Sequence, residues 1–348
     1  MAEIKPSYIY LDQIRGGFLG LALGDALGAP HEFSYRRPVS EYTGKLEYTI
    51  DSRAPYQPIR YSVVGQVTDD TTMSAALLRS IVKNKGWKRD EVIQAYLAWA
   101  NPSKPYVMPF MGKNTRKLLK GVKTIKGYET RHAKHASLEI ESNGSLMRAF
   151  PLVLLFIYED PKNPERICKL ALEDTDLTNP NDVNRNAVAV YLLILANVLL
   201  GRSPVFVLDE IERLFGDEPA SDPIYQAVRQ AGSGDTRDVT VNSGWVAHAI
   251  YLLVRGWIAI QNSRNSYSSV INWVIEQGGD TDTNACIVGS LLGFYLGEDY
   301  MTSEDAITSE NIKILLEMDT SEGDLPFDPK LLPKGVMKLL TPERLGFS

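Results

Sequence analysis

Apolar positions recur at i, i+3 and i+4 through most of the chain, the spacing of amphipathic helices. In SGWVAHAIYLLVRGWIAI (243–260), Val246, Ala249, Ile250, Leu253 and Trp257 fall on one such stripe. The pattern predicts helices over roughly 9–28, 69–84, 88–100, 144–158, 163–174, 182–200, 204–215, 221–231, 242–262, 267–277 and 281–297. Ser203 and Pro204 suit the N-cap and first turn of the 204–215 helix. Strand-like alternation is scarce, and YSVVGQV (61–67) is its best instance. Two stretches, 30–67 and 101–141, resist a helical reading and are rich in Tyr, Pro and Gly. Long loops of this kind are uncommon in compact domains and often functional. No Gly/Ser-rich or Pro-rich linker, low-complexity tract or fixed-period repeat divides the chain. The expectation is one all-α domain spanning 1–348.

One helix stands out. GGFLGLALGDALGAP (16–30) spaces Gly16, Gly20, Gly24 and Gly28 four apart, which is a single smooth face. Each interior glycine costs about 1 kcal/mol relative to Ala, so a compensating close approach of another backbone is expected. Asp25 interrupts the apolar run and is read as a buried, hydrogen-bonded anchor in preference to a site residue. The most apolar run, AVAVYLLILANVLLG (187–201), is too short for a clear membrane span and reads as a buried core helix.

Composition narrows the function classes. Hydrophobic residues make up 44% and charged residues 23% of the chain, ordinary for a soluble globular protein. The formal net charge of −6 argues against general nucleic-acid binding. The start, MAEIKPSYIYLDQIRGG, lacks a basic segment followed by an apolar run, so neither a signal peptide nor a membrane partner is expected. Cys168 and Cys286 lie far apart, form no metal spacing, and suit a reducing, cytoplasmic setting.

The candidate chemistry is acidic. GGDTDTNACIVGSLLG places Asp280, Thr281, Asp282 and Thr283 at the mouth of a helix. VTDDTTM places Thr68, Asp69, Asp70, Thr71 and Thr72 at another. Helix capping explains one such residue, or two in a capping box. Four or five hard oxygen donors exceed that need and are the kind that Mg²⁺ prefers. Glu32, in APHEFSY, supplies a further acid after the glycine helix. If the three segments converge, five carboxylates share a small volume, and a proton or a cation must relieve their repulsion. A fourth motif, ESNGSLMRAFPLVLL (141–155), leads Ser142, Asn143, Gly144 and Ser145 into an expected helix start. Free N–H groups there favour phosphate, although many loops read this way.

In this order, GGFLGLALGDALGAPHEF, VTDDTTM, SNGSLMRAFPL, SGWVAHA and GGDTDTNACIVGSLLG resemble the ADP-ribosylglycohydrolase family, over about residues 12–297. The resemblance implies a compact all-α multi-helix orthogonal bundle with a binuclear metal cleft. It also implies hydrolysis of the glycosidic bond linking ADP-ribose to a protein side chain or small acceptor. By the same likeness Thr68, Asp69 and Asp70 hold one ion, and Asp280, Asp282 and Thr283 the other, with Asp282 bridging. Two Mg²⁺ ions, or Mn²⁺ in their place, are the implied cofactors. Glu32 and Asp282 are the implied catalytic residues, and Ser142, Asn143, Gly144 and Asn179 the implied substrate-binding set. Asn179 departs from the family, whose members commonly carry His after the DLT of 176–178; Asn has no group that titrates near neutral pH. This leaves two other functions in view: a catalytically weak ADP-ribose-binding relative, and a metal-dependent phosphohydrolase acting on the pyrophosphate.

Other features carry blander readings. The segment 113–135 holds eight Lys or Arg against one acid, Glu129, and reads as a solvated face or a basic rim for an anionic substrate. His132 and His135 lack companion ligands for a metal. His31 adjoins Glu32. His248 and Cys286 read as buried packing residues. Tyr56, Tyr106 and Phe110 are the candidates for stacking on adenine.

Overall fold

The computed structural model describes residues 8–33, 44–46, 64–103, 111–135, 142–159, 164–215, 222–234, 245–318 and 328–347. Among them the protein is all-α, with no strand. In chain order the first helices are α1 (Tyr8–Gly28), α2 (Asp69–Asn84), α3 (Arg89–Ala100), α4 (Lys113–Leu119), α5 (Ile125–Lys134) and α6 (Leu155–Tyr158). Then come α7 (Pro164–Asp176), α8 (Asp182–Leu199), α9 (Pro204–Leu214), α10 (Pro223–Ser233), α11 (Trp245–Ile260) and α12 (Tyr267–Glu276). The last are α13 (Thr281–Leu296), α14 (Glu298–Ser303), α15 (Ala306–Met318), α16 (Pro333–Met337) and α17 (Pro342–Leu345).

The periodicity is accurate for the long helices and fails in three places. Residues 144–158 form turns, a short 3-10 helix over Phe150–Leu154 and the single turn α6. Pro151 lies in this stretch and has no N–H to donate to the carbonyl four residues earlier, so an α-helix is interrupted there. The stretch 101–141, read as irregular, contains α4 and α5. Their apolar stripe is sparse, and tertiary contacts stabilise them: Leu118, Leu119, Val122 and Tyr128 are buried. Local caps add to this: Thr124 Oγ1 accepts from the Gly127 N–H, and Arg131 donates to the carbonyl of Lys120 at 2.7 Å, just past the end of α4. The helices after residue 297 also escaped the pattern. Of the expected strand, residues 61–63 lie outside the described residues and Val64–Val67 form none.

The described residues fall into two compact units. The first takes in the chain up to Thr71 and again from Gly256. Its centre is the pair α1 and α13, with α12, α14, α15 and α16 packed around them. From Gly16 to Gly28 on α1 and from Thr281 to Phe294 on α13 every residue is buried, as expected of helices apolar on nearly every side. The glycine face of α1 meets α13 backbone to backbone. A Cβ built on Gly16, Gly20, Gly24 or Gly28 would stand 2.4, 2.2, 2.0 or 2.3 Å from the carbonyl oxygens of Gly293, Gly289, Ala285 and Thr281. The contact is mutual, since a Cβ on Gly289 or Gly293 would strike the Gly20 or Gly16 carbonyl at 2.4 or 2.1 Å. The compensating approach expected from sequence is therefore present, and α13 supplies its own small residues to it.

The second unit takes in Thr72–Arg255. Here α3, α4 and α5 pack together, and α7, α8, α9 and α10 form a second group. The apolar run 187–201 lies largely in α8, where Val188, Val190, Tyr191, Ile194 and Leu195 are buried in the core. By length and hydropathy alone α8 is also long enough to cross a bilayer. Its two buried asparagines, Asn184 and Asn197, are hydrogen-bonded within the protein.

Gly24→Ala separates two opposed effects. Helix propensity alone predicts a gain of about 1 kcal/mol. A methyl group 2.0 Å from a backbone oxygen forces the helices apart, and overpacking of a core costs roughly 1–3 kcal/mol or more. The clash should win, so thermal unfolding of Gly24→Ala is expected at lower temperature than wild type. A raised midpoint would disprove the close contact.

Candidate functional site

The α1–α13 contact fixes the ends of both helices, and the acidic residues sit at those ends. Thr281 Oγ1 donates to the Gly28 carbonyl at 2.8 Å, tying the start of α13 to the end of α1. Beyond Gly28 a 3-10 turn, Ala29–His31, carries the chain to Glu32. Phe33 then donates its N–H to the Gly279 carbonyl at 2.7 Å. Phe33 has φ 57°, an uncommon conformation for a residue with a side chain. Gly278 and Gly279, at φ 71° and 81°, are in the left-handed region where glycine is favoured. These two tethers draw Glu32 to the turn that carries Asp280 and Asp282.

The result is two overlapping acidic triads. One carboxylate oxygen from each of Glu32, Asp280 and Asp282 lies within 4.8 Å of the others, and the same holds for Asp25, Asp70 and Asp282. Asp282 belongs to both. Asp280 stands at the N-cap position of α13 yet makes no side-chain cap bond, so capping does not account for it. Asp69 opens α2, is half-buried, and belongs to neither triad, although its charge acts on Asp70. Thr68 Oγ1 donates to Asp70 Oδ2 at 2.9 Å, and Asp282 Oδ1 accepts from the Thr283 N–H at 2.9 Å.

Electrostatics and unused donors point the same way. Burial, then the charges of Asp25, Asp69 and Asp280, push the Asp70 carboxyl well above its ordinary range. Burial, then Glu32, Asp280 and Asp70, do the same to Asp282. Oδ1 of Asp25 and Oδ1 of Asp70 are buried with no hydrogen-bond partner. Buried polar atoms are rarely left so. Clustered hard oxygens with spare lone pairs and excess negative charge fit a divalent cation of the Mg²⁺ or Ca²⁺ kind. Cys286 lies under the cluster, and burial followed by the Asp70 and Asp25 charges raises its thiol well above the usual value. That leaves it a packing residue.

The sequence reading weighed Asp25 as an anchor against a site residue and took the anchor. Its Oδ2 is indeed one, accepting from the Thr68 N–H at 2.9 Å, the Thr71 N–H at 3.1 Å and the Thr71 hydroxyl at 2.5 Å. Its carboxylate also supplies an oxygen to the triad, and its Oδ1 is buried with no hydrogen-bond partner. One residue thus both folds the Thr68–Thr71 turn and adds to the acidic cluster.

The other sequence candidates lie in the second unit. Ser142, Asn143 and Gly144 begin a tight run of turns, and the Asn143 carbonyl accepts from the Met147 N–H at 2.9 Å. Asn179 is fully buried, and its Nδ2 donates to Ser142 Oγ at 2.8 Å. Beneath the turns Arg148 is fully buried against Asp174, a pair the sequence reading missed. Its signal was present: one charged residue in the otherwise apolar run 146–155. His132 is engaged by the Asp176 carbonyl at 2.7 Å. Tyr56, Tyr106 and Phe110 lie outside the described residues.

A profile of the ADP-ribosylglycohydrolase family matches residues 6–309. The chain belongs to the ADP-ribosylglycohydrolase family. It is 29% identical over 293 residues to a protein of Acanthamoeba polyphaga mimivirus named as an ADP-ribosyl glycohydrolase, L543, covering 80% of this chain and 85% of that one. It is 25% identical over 299 residues to the ADP-ribosyl-[dinitrogen reductase] glycohydrolase of Rhodospirillum rubrum, covering 84% and 88%. A solved structure titled an ADP-ribosylglycohydrolase-related protein complex superposes with a TM-score of 0.61 at 24% identity, over 88% of this chain and 96% of that one. At that identity the superposition speaks for the fold. The residues matched to the family include both triads and the 142–148 turn.

Because Asp282 is held charged at a cost, Asp282→Asn should stabilise the metal-free protein by a few degrees. The folded-state pKa is raised above 3.8, so the folded form binds the proton more tightly than the unfolded one. Stability from this group is present at low pH and is lost as pH rises through the raised value. The advantage of the variant in EDTA should therefore grow as the pH is raised above the ordinary aspartate range. Saturating Mg²⁺ should raise the wild-type midpoint and leave Asp282→Asn nearly unmoved. Equal metal-induced shifts in both proteins would count against the cluster as a cation site.

Proposed function

We propose that this protein hydrolyses the glycosidic bond joining ADP-ribose to a protein side chain or a small acceptor, in a reaction that depends on Mg²⁺. The observation that carries this reading is Asp282, a buried carboxylate shared by two acidic triads in a member of this family. A carboxylate common to both sets suits a bridging ligand. On this proposal Thr68, Asp69 and Asp70 hold one ion and Asp280, Asp282 and Thr283 the other, with Mn²⁺ as a substitute. When bound, such ions supply Lewis-acid polarisation and a template for ribose hydroxyls and water.

The protein's own residues do the rest. Glu32 is half-buried, next to Asp280 and Asp282, on a turn tethered through the Phe33 N–H. It is the group able to move a proton at the attacking water or at the leaving atom. Glycosidic cleavage passes through oxocarbenium-like charge, and an acidic surround favours positive charge at the anomeric carbon. Ser142, Asn143 and Gly144 are assigned to the ADP-ribose moiety, with Asn179 beside them. The substrate class is ADP-ribosylated protein or a small ADP-ribose conjugate. The single family match across 6–309 supports treating the chain as one functional domain. Cys168 and Cys286 form no disulfide, which suits the cytoplasm.

The test is a panel of Arg-linked, Ser-linked and nucleotide-linked ADP-ribose substrates, with products resolved by mass. Intact ADP-ribose should appear with Mg²⁺ and not with EDTA. Asp282→Ala should lower turnover beyond the roughly 100-fold that loss of an outer-shell partner costs. AMP as the product would replace this reading with pyrophosphate hydrolysis. ADP-ribose binding with no turnover on any substrate would replace it with a binding protein.

A further inference from the structure

We infer that Asn179 is a positioning residue: with Thr178 and Arg148 it locks the Ser142–Met147 turn into one shape, and its own side chain takes no substrate. The inference rests on the reading that this turn binds ADP-ribose.

A carboxamide offers two N–H donors and one carbonyl oxygen. Asn179 Nδ2 donates to Ser142 Oγ at 2.8 Å and lies 3.3 Å from the Ser142 carbonyl oxygen. Asn179 Oδ1 accepts from the Thr178 hydroxyl at 2.6 Å. Its backbone is held too, the N–H donating to the Thr175 carbonyl at 2.9 Å. Both amide hydrogens are directed at Ser142 and the residue is fully buried, so the side chain presents no exposed group to a ligand.

The other side of the turn is held through the same hydroxyl. Arg148 Nη1 donates to Thr178 Oγ1 at 2.8 Å and to the Gly144 carbonyl at 2.6 Å. Its Nη2 donates to the Asp174 carbonyl at 2.8 Å, and its Nε to the Tyr96 hydroxyl at 2.8 Å and Asp174 Oδ2 at 3.2 Å. Tyr96 in turn donates to Asp174 Oδ1 at 2.8 Å, and Trp87 to the same oxygen at 3.3 Å. Ser142 is thus gripped by Asn179 and Gly144 by Arg148, and Thr178 joins the two grips. Ser145 adds a third hold by donating to Asn184 Oδ1 at 2.8 Å. A network with every member satisfied rigidifies what it touches. Neither residue that grips the turn directly, Arg148 or Asn179, titrates near neutral pH.

The experiment is a double-mutant cycle read as ADP-ribose affinity by calorimetry in Mg²⁺, together with amide hydrogen exchange on the ligand-free protein. Asn179→Ala and Ser142→Ala should each weaken binding roughly tenfold, and the double variant little more than either alone, because coupled residues are not additive. Asn179→Asp keeps the acceptor for Thr178 and loses both donors to Ser142; it should behave as Asn179→Ala and serves where the alanine variant folds poorly. In turnover, KM should rise with kcat nearly unchanged, the mark of lost uniform binding. Exchange should accelerate at 143–147 with the other helices unchanged. Additive losses in the cycle, or unchanged exchange at 143–147, would overturn the inference. If wild type binds no ADP-ribose, the assignment of the turn to that ligand fails, and the exchange measurement still decides whether Asn179 holds it.

Discussion

The site depends on one contact, the backbone-to-backbone packing of α1 on α13. Four glycines on α1 face the carbonyls of Gly293, Gly289, Ala285 and Thr281 so closely that a Cβ on any of the four would not fit. Glycine in a helix is locally unfavourable, and only the gain from two apolar helices fully buried against each other offsets it. Close packing also sets register. With the helices this near, a slide of even one residue would drive a side chain into a carbonyl. The positions of Asp25, near the end of α1, and Asp282, at the start of α13, are therefore fixed together. The acidic triads follow from the register, and the tethers at Thr281 and Phe33 extend it to Glu32.

That rigidity is used to hold charges that repel one another. Asp70 and Asp282 are buried, and their neighbours are acids, so the folded state alone favours protonation. A flexible chain would relax by turning the carboxylates toward water. Here Oδ2 of Asp25 is committed to three donors in the Thr68–Thr71 turn, which prevents it. The strain is moderated by hydroxyls and backbone N–H groups, and a divalent cation would remove most of what remains. Stability and function are thus opposed at these residues, as is common where a site is preorganised.

How much of this could be read from the chain differs by level. The long helices, the glycine face and the existence of two acidic clusters were legible, because periodicity and residue type express them directly. The combined motifs also carried the family. Three things were not legible. The helices α4 and α5 were hidden because their stability comes from burial of Leu118, Leu119 and Tyr128 and from capping by Arg131, none of which alters a local pattern. The break at 144–158 turned on one proline in a convincing apolar run. The double role of Asp25 needed three dimensions, since an anchor and a cluster member look alike in sequence. Convergence of Glu32 with Asp280 and Asp282 was conditional on folding, and the two tethers that cause it, through Thr281 and the Phe33 N–H, leave no mark on composition.

Two buried charge systems among the described residues show why one fits a cation and the other does not. Around Arg148 the charges balance: a guanidinium meets a carboxylate, and tyrosine, tryptophan, threonine and backbone groups complete the hydrogen bonds. Burial opposes the Arg148 charge, yet Tyr96 and Asp174 more than offset it and hold its pKa above the ordinary value. Such a network is closed and has nothing to offer a ligand; it can only hold shape. The aspartate cluster has charges of one sign and two buried oxygens without partners. It is open in the chemical sense, complete only when positive charge is added. Burial is common to both, so burial alone identifies no site. The sign balance of the buried charges and the presence of uncommitted oxygens are what distinguish a scaffold from a binding centre in this chain.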